Sequence, residues 1–173
     1  MFVSEICSIQ DCQFADDMTT ATNKYTISGT LTTNEHNSDG WKYSAGSLVW
    51  IDPNGATLTN SANIEFTPTE CYSGYDGNYA PIIIYFENAS QTRVYFTLAN
   101  TFVQMNSSTK TTHSISLNSE YRVEYTSNTL KCYLGDTLVG SASHSLGTSN
   151  IKVRLATGNG RYCRLKNFKV KPL

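Results

Sequence analysis

Apolar and polar residues alternate with a period of two through much of this chain. Val94, Phe96 and Leu98 interleave with Arg93, Tyr95 and Thr97. Tyr121, Val123 and Tyr125 interleave with Arg122 and Glu124, and Ile151, Val153 and Leu155 with Lys152 and Arg154. Successive side chains of a strand point to opposite faces, so each of these runs predicts a strand with one face on a core and one on water or a ligand. Turn-forming residues recur about every 8–12 residues, the spacing of an all-β sandwich or barrel. The pattern predicts about 12 strands, at 25–32, 47–51, 63–67, 82–88, 92–99, 102–106, 111–117, 121–127, 129–134, 137–143, 151–157 and 163–171. No window of helical length carries a 3.6-residue apolar stripe, and residues 14–20 hold at most a short turn. Residues 1–20 read as an irregular lead-in.

Three local features refine this picture. Ser127-Asn128 and Gly135-Asp136 each separate two predicted strands, and Asn, Gly and Asp tolerate the positive φ of tight hairpin turns. In the last strand the apolar parity slips between Leu165 and Phe168, which a β-bulge at Lys166-Asn167 would reconcile. Ile82-Ile-Ile-Tyr-Phe86 does not alternate, so it is expected to be a central strand covered on both faces. Trp50, between Val49 and Ile51, is expected in the core.

Ser, Thr and Asn make up 56 of the 173 residues, while charged residues are only 16%. The length suits one domain spanning 1–173, with a modest core and a neutral surface of hydroxyls and amides. A formal net charge of −1 argues against nucleic acid as a partner, since phosphate binding needs a basic excess. The longest apolar run, Ile82 to Phe86, is five residues, far short of a membrane span. The start shows no basic segment followed by an apolar stretch, so no signal peptide is predicted. The five cysteines include no CxxC pair, which argues against zinc. Cys132 shares parity with Leu130 and Leu134 and should be a buried free thiol, and Cys7 and Cys12 are spaced for a bridge in an oxidising compartment.

The run from Tyr121 to Gly140, with its two short turns and Tyr133-Leu-Gly135, resembles the strand–turn–strand–turn–strand block of concanavalin A-like lectin/glucanase (laminin G-like) domains. Ile151–Gly158 and Cys163–Val170 resemble the closing strand pair of those domains, and Phe14-Ala-Asp-Asp-Met18 with Lys24-Tyr-Thr-Ile-Ser-Gly29 their opening strand region. The resemblance implies an antiparallel two-sheet jelly roll. The manner of the opening also resembles domains of phage-like tail or fibre proteins and microbial surface adhesins, which implies a virion or cell-surface location and a homotrimer or other fibre assembly. Fold alone does not decide function.

Glucanases of this kind carry acids as Glu-x-Asp-x-(x)-Glu on one strand, so that one carboxylate attacks while another protonates the leaving group. Here Glu65 with Glu70 and Glu120 with Glu124 are the nearest pairs, and both lack the intervening acid. Glu65 is expected to face solvent. His36, His113 and His144 are scattered, no Gly-x-Ser-x-Gly elbow is present, and no enzyme is predicted. Asp52-Pro-Asn-Gly55 and Asp16-Asp17 offer oxygen donors for a structural calcium ion, and no other cofactor is expected.

Sugars are recognised by aromatic rings that stack on their apolar faces, with planar polar groups alongside. The loop from Glu70 to Ala80 has this composition, and Tyr72, Tyr75, Asp76, Asn78 and Tyr79 are its candidate ligand-binding residues. Arg161 and Tyr162, after Gly158-Asn-Gly160, form a second candidate, and Trp41, after the polar stretch 34–40, a third. The expected role is non-catalytic binding of a cell-surface glycan or glycoprotein. The alternative is a structural domain making protein–protein contacts in a virion or surface fibre.

Overall fold

The computed structural model describes residues 12–59, 61–72, 82–107, 109–145 and 150–173. These form two eight-stranded antiparallel sheets packed face to face, and no helix occurs among the described residues. In chain order the strands are β1 Phe14–Asp16, β2 Tyr25–Ser28, β3 Thr33–Asn37, β4 Gly40–Ser44, β5 Val49–Pro53, β6 Thr57–Leu58, β7 Ala62–Cys71 and β8 Ile82–Glu87. They continue as β9 Arg93–Ala99, β10 Phe102–Met105, β11 Thr109–Thr112, β12 Tyr121–Tyr125, β13 Thr129–Leu134, β14 Thr137–Ser143, β15 Ile151–Thr157 and β16 Tyr162–Lys171. The first sheet runs β14-β13-β12-β7-β16-β4-β3 with β1 on β16. The second runs β11-β10-β9-β8-β15-β5-β2 with β6 on β15.

All twelve expected strands are present, with shifted ends, and four more join them: β1, β3, β4 and β6. The lead-in is therefore partly ordered, since Phe14–Asp16 pairs with Phe168–Val170 of β16. The two tight hairpins form as read: Thr126 N–H donates to Thr129 O at 2.9 Å, and Gly135 turns at φ 55°. Asn167 takes φ 57° where the β16–β7 register shifts, which is the expected bulge. It lets Leu165 and Phe168 both point inward and be fully buried.

The core lies between the sheets. Phe86 of one sheet stacks on Tyr125 of the other at 5.0 Å, and Phe66 meets Phe96 at 6.2 Å. β8 occupies the middle of its sheet. Ile82, Ile84 and Phe86 face the core, while outward Ile83 is only 5% exposed beneath its neighbours, so both faces are apolar and alternation is hidden. Cys132 and Cys163 are buried and free, and the half-buried Cys71 is also free. Cys12 is disulfide-bonded, and Cys7 lies outside the described residues.

Both tryptophans are corrected by the fold. Trp41, expected as an exposed ligand contact, sits on β4 at 2% exposure. It shares inward parity with Tyr43, stacks on His36 at 5.1 Å, and its Nε1–H donates to Asn34 Oδ1 at 2.8 Å. Trp50, expected in the core, is half-buried on the outward face of β5, because its neighbours Val49 and Ile51 take inward positions.

Candidate functional site

The two outward faces differ in chemistry. On the first sheet, β7 presents Asn63, Glu65 and Thr67 outward, so only one of these three alternate positions is an acid. Glu65 is 8% exposed and not in open solvent as expected, because Lys169 and Lys171 of neighbouring β16 close over it at 3.5 and 2.5 Å. Burial acts to raise its pKa, but hydrogen bonds and charge from the two lysines outweigh this and leave the carboxyl below its usual value. Glu70 accepts from Lys42 at 2.7 Å and from Arg164 at 3.3 Å, and the Lys42 bond leads in holding its pKa down. Arg164 also reaches Glu35 at 3.5 Å, and Arg122 holds Glu124 at 2.7 Å. These carboxylates are acceptors clamped by cations. A general acid needs the reverse of the lowered Glu65 and Glu70, a carboxyl raised toward neutral pH.

At one end of this face the expected loop residues converge. Cys71 and Cys163 are opposite one another across β7 and β16, so the residues flanking them, Tyr72 and Tyr162, are brought side by side. Their rings meet edge to face at 5.7 Å, and Tyr72 N–H donates to Tyr162 O at 3.1 Å. The Arg161 guanidinium lies 5.0 Å from the Tyr72 ring centre, and Lys42 Nζ lies 4.1 Å from that of Tyr162. Asn100 Nδ2 donates to Tyr72 O at 2.6 Å, which ties the cluster to the β9–β10 turn of the other sheet. Two half-buried phenol rings and two cations thus share one rim. Tyr75, Asp76, Asn78 and Tyr79 lie outside the described residues.

The second sheet carries an aromatic patch that the sequence reading missed. Trp50 meets Tyr85 at 4.7 Å, and Tyr85 meets Tyr95 at 6.0 Å, all on the outward face. Arg154 and Arg93 lie 4.4 and 5.3 Å from the Trp50 ring centre. The outward parity of Tyr95 was legible in its strand. That of Trp50 was legible only once its neighbours were assigned inward.

The calcium expectation does not fit the donor geometry. Asp52 is taken by Lys152 at 2.8 Å and Arg154 at 2.6 Å, and Asp17 by the N–H and hydroxyl of Thr19 at 3.0 Å. Asp16 accepts from Lys24 at 3.3 Å. No cluster of three or more His, Cys, Asp or Glu side chains suited to a metal occurs among the described residues. Asn88 Oδ1 accepts from Ser90 and Thr92 N–H within the β8–β9 turn, and Asn106 Nδ2 donates across to Ser143 O at the end of β14.

No protein-family model matches the sequence, and neither does any curated protein sequence. Solved structures do share the architecture. The Crh5 transglycosylase in complex with NAG superposes with a TM-score of 0.64 at 11% identity, covering 92% of this chain and 83% of that one. A protein of unknown function with a galectin-like fold from Bacillus subtilis gives 0.61 at 8% identity over 94% and 96%. The carbohydrate-binding module CBM66 from Bacillus subtilis gives 0.51 at 15% identity over 86% and 95%. At these identities the likeness is one of fold, and the chain is built as a concanavalin A/galectin-like jelly roll.

Proposed function

We propose that this chain is a non-catalytic carbohydrate-binding module. The observation that carries the reading is the meeting of Tyr72, Tyr162, Arg161 and Lys42 at one rim, from segments far apart in sequence. Phenol rings offer stacking faces, and the cations offer donors to hydroxyls. The solved structures of the same fold include one named a carbohydrate-binding module, which supports the same class of ligand. They also include a transglycosylase, but lysines and Arg164 hold Glu65 and Glu70 below their usual values, the opposite of what a general acid needs. The neutral, Ser/Thr/Asn-rich surface and the manner of the opening segment support a carrier such as a phage-like tail fibre or an adhesin, with a cell-surface glycan as ligand.

A glycan array paired with a turnover assay tests the reading. Saturable binding of at least one glycan without release of shorter products is the expected result. Hydrolysis or transglycosylation that vanishes with Glu65→Gln would overturn it.

A further inference from the structure

Cys71 and Cys163 stand directly opposite one another across β7 and β16, and both are free thiols. Their neighbours fix the kind of opposition. Tyr72 N–H donates to Tyr162 O at 3.1 Å, so Tyr72 and Tyr162 form a hydrogen-bonded pair. Hydrogen-bonded and non-hydrogen-bonded pairs alternate along an antiparallel ladder, which makes Cys71 and Cys163 a pair of the second kind. In such pairs the Cα atoms lie about 4.5 Å apart and the side chains approach most closely. A disulfide spans Cα atoms about 4.4–6.8 Å apart, so the backbone register already meets its requirement. Both side chains point to the same face: Cys163 is fully buried in the core, and the half-buried Cys71 packs against the same cluster.

Access to the pair is uneven. Cys71 keeps some exposure at the end of β7, whereas Cys163 has none, so a small reagent meets Cys71 first. Burial holds the Cys71 thiol up at about 12 and pushes Cys163 well above its usual value, with charge on Cys71 raising it further. The thiolate is the attacking species, and at neutral pH it is scarce at both positions, which keeps them as thiols until the pH rises or exposure is long. Cys12 is disulfide-bonded, so the fold already carries one oxidised cysteine. Cys132 lies on β13, separated from β7 by β12, and does not compete for either partner.

We infer that Cys71 and Cys163 are an oxidation site that closes to a cross-strand disulfide and fastens the strand ends carrying Tyr72 and Tyr162. The oxidant is a low-molecular-weight disulfide. The Cys71 thiolate attacks one of its sulfurs, forming a mixed disulfide and releasing one small thiolate. The Cys163 thiolate then attacks the Cys71 sulfur, forming the Sγ–Sγ bond and expelling the second small thiolate. The cysteine pair gives up two electrons and two protons, and the reagent leaves as two thiols. The new bond ties β7 to β16 one residue from the paired tyrosines. It stands whether or not that rim binds sugar.

The full chain should be incubated with oxidised glutathione at about pH 9, where thiolates are more abundant, then alkylated in denaturant and mapped by peptide mass. A Cys71–Cys163 link, no retained glutathione and an alkylated Cys132 are the expected result. The thermal midpoint should rise by about 5 °C or more, because the bond closes a long loop in the unfolded chain. Tyr72 N–H should exchange with deuterium more slowly once the strand ends are fastened. Cys71→Ser should show no rise in midpoint, and Cys163→Ala should stop at a glutathione adduct on Cys71. The wild-type peptide map decides the question even if a variant does not fold. A stable adduct on wild-type Cys71, both thiols intact after the full incubation, a link from either cysteine to Cys132, or a midpoint that falls on oxidation would overturn the inference.

Discussion

Arg154 grips Asp52 through two parallel hydrogen bonds, Nε to Oδ1 at 2.6 Å and Nη2 to Oδ2 at 3.0 Å, while its guanidinium lies against the Trp50 ring. Both side chains are about 15% exposed, so the pair sits mostly out of water on the outward face of the second sheet. Removing one partner leaves the other with a single ion pair, since Asp52 keeps Lys152 at 2.8 Å and Arg154 keeps Glu87 at 3.2 Å. Arg154→Met should therefore destabilise the protein by about 1–3 kcal/mol, through loss of the two-bond contact and of the only cation on Glu87 among the described residues. The double variant Arg154→Met, Asp52→Asn should lose less than the sum of the singles in urea denaturation, since both changes break the same contact.

Acid should weaken the fold through the same kind of pair. Asp52 is pulled up by burial but held lower overall by its bonds to Arg154 and Lys152, and Glu65 and Glu70 are likewise held below their usual values by lysines and Arg164. A carboxyl whose folded pKa lies below its unfolded one adds stability above the unfolded value, near pH 4, and loses it as the pH falls through the folded value. Urea midpoints should be flat between about pH 6 and 8 and drop below about pH 4. A midpoint that rises on acidification would show that these carboxylates are not stabilised in the fold.

Gly40 opens β4 with φ +113°, and a Cβ there would run into the Leu165 carbonyl oxygen of β16. Neither the backbone angle nor the space admits a side chain. Gly40→Ala should cost at least about 1–3 kcal/mol, measurable as a lower thermal midpoint. The neighbouring exposed Asp39→Ala should change it by less than about 1 kcal/mol.

The legible parts of the fold are those whose instructions are local. Tyr121, Val123 and Tyr125 alternate, Asn128 and Gly135 mark their turns, and the parity slip at Asn167 shows its bulge within a few residues. The β3–β4 hairpin was hidden because its inward positions include Asn34 and His36, polar residues that are satisfied by Trp41 and by the Met18 carbonyl. Without that partner, 34–40 reads as a polar loop and Trp41 as its exposed end. β1 and β6 are three and two residues long, too short to show a period. For the site, the residue types at Tyr72, Arg161 and Tyr162 were visible, but their meeting depends on the Cys71–Cys163 register between β7 and β16, which no local pattern encodes.

Calorimetric titration of the strongest-binding glycan into the wild-type protein and into Tyr72→Ala and Tyr162→Ala bears most directly on the carbohydrate-binding reading. Each ring that stacks on a sugar should contribute about 1 kcal/mol or more, so each variant should weaken binding about fivefold or more while its thermal melt still shows a folded protein. Glycan affinity unchanged in both variants would contradict the assignment of this rim as the binding site.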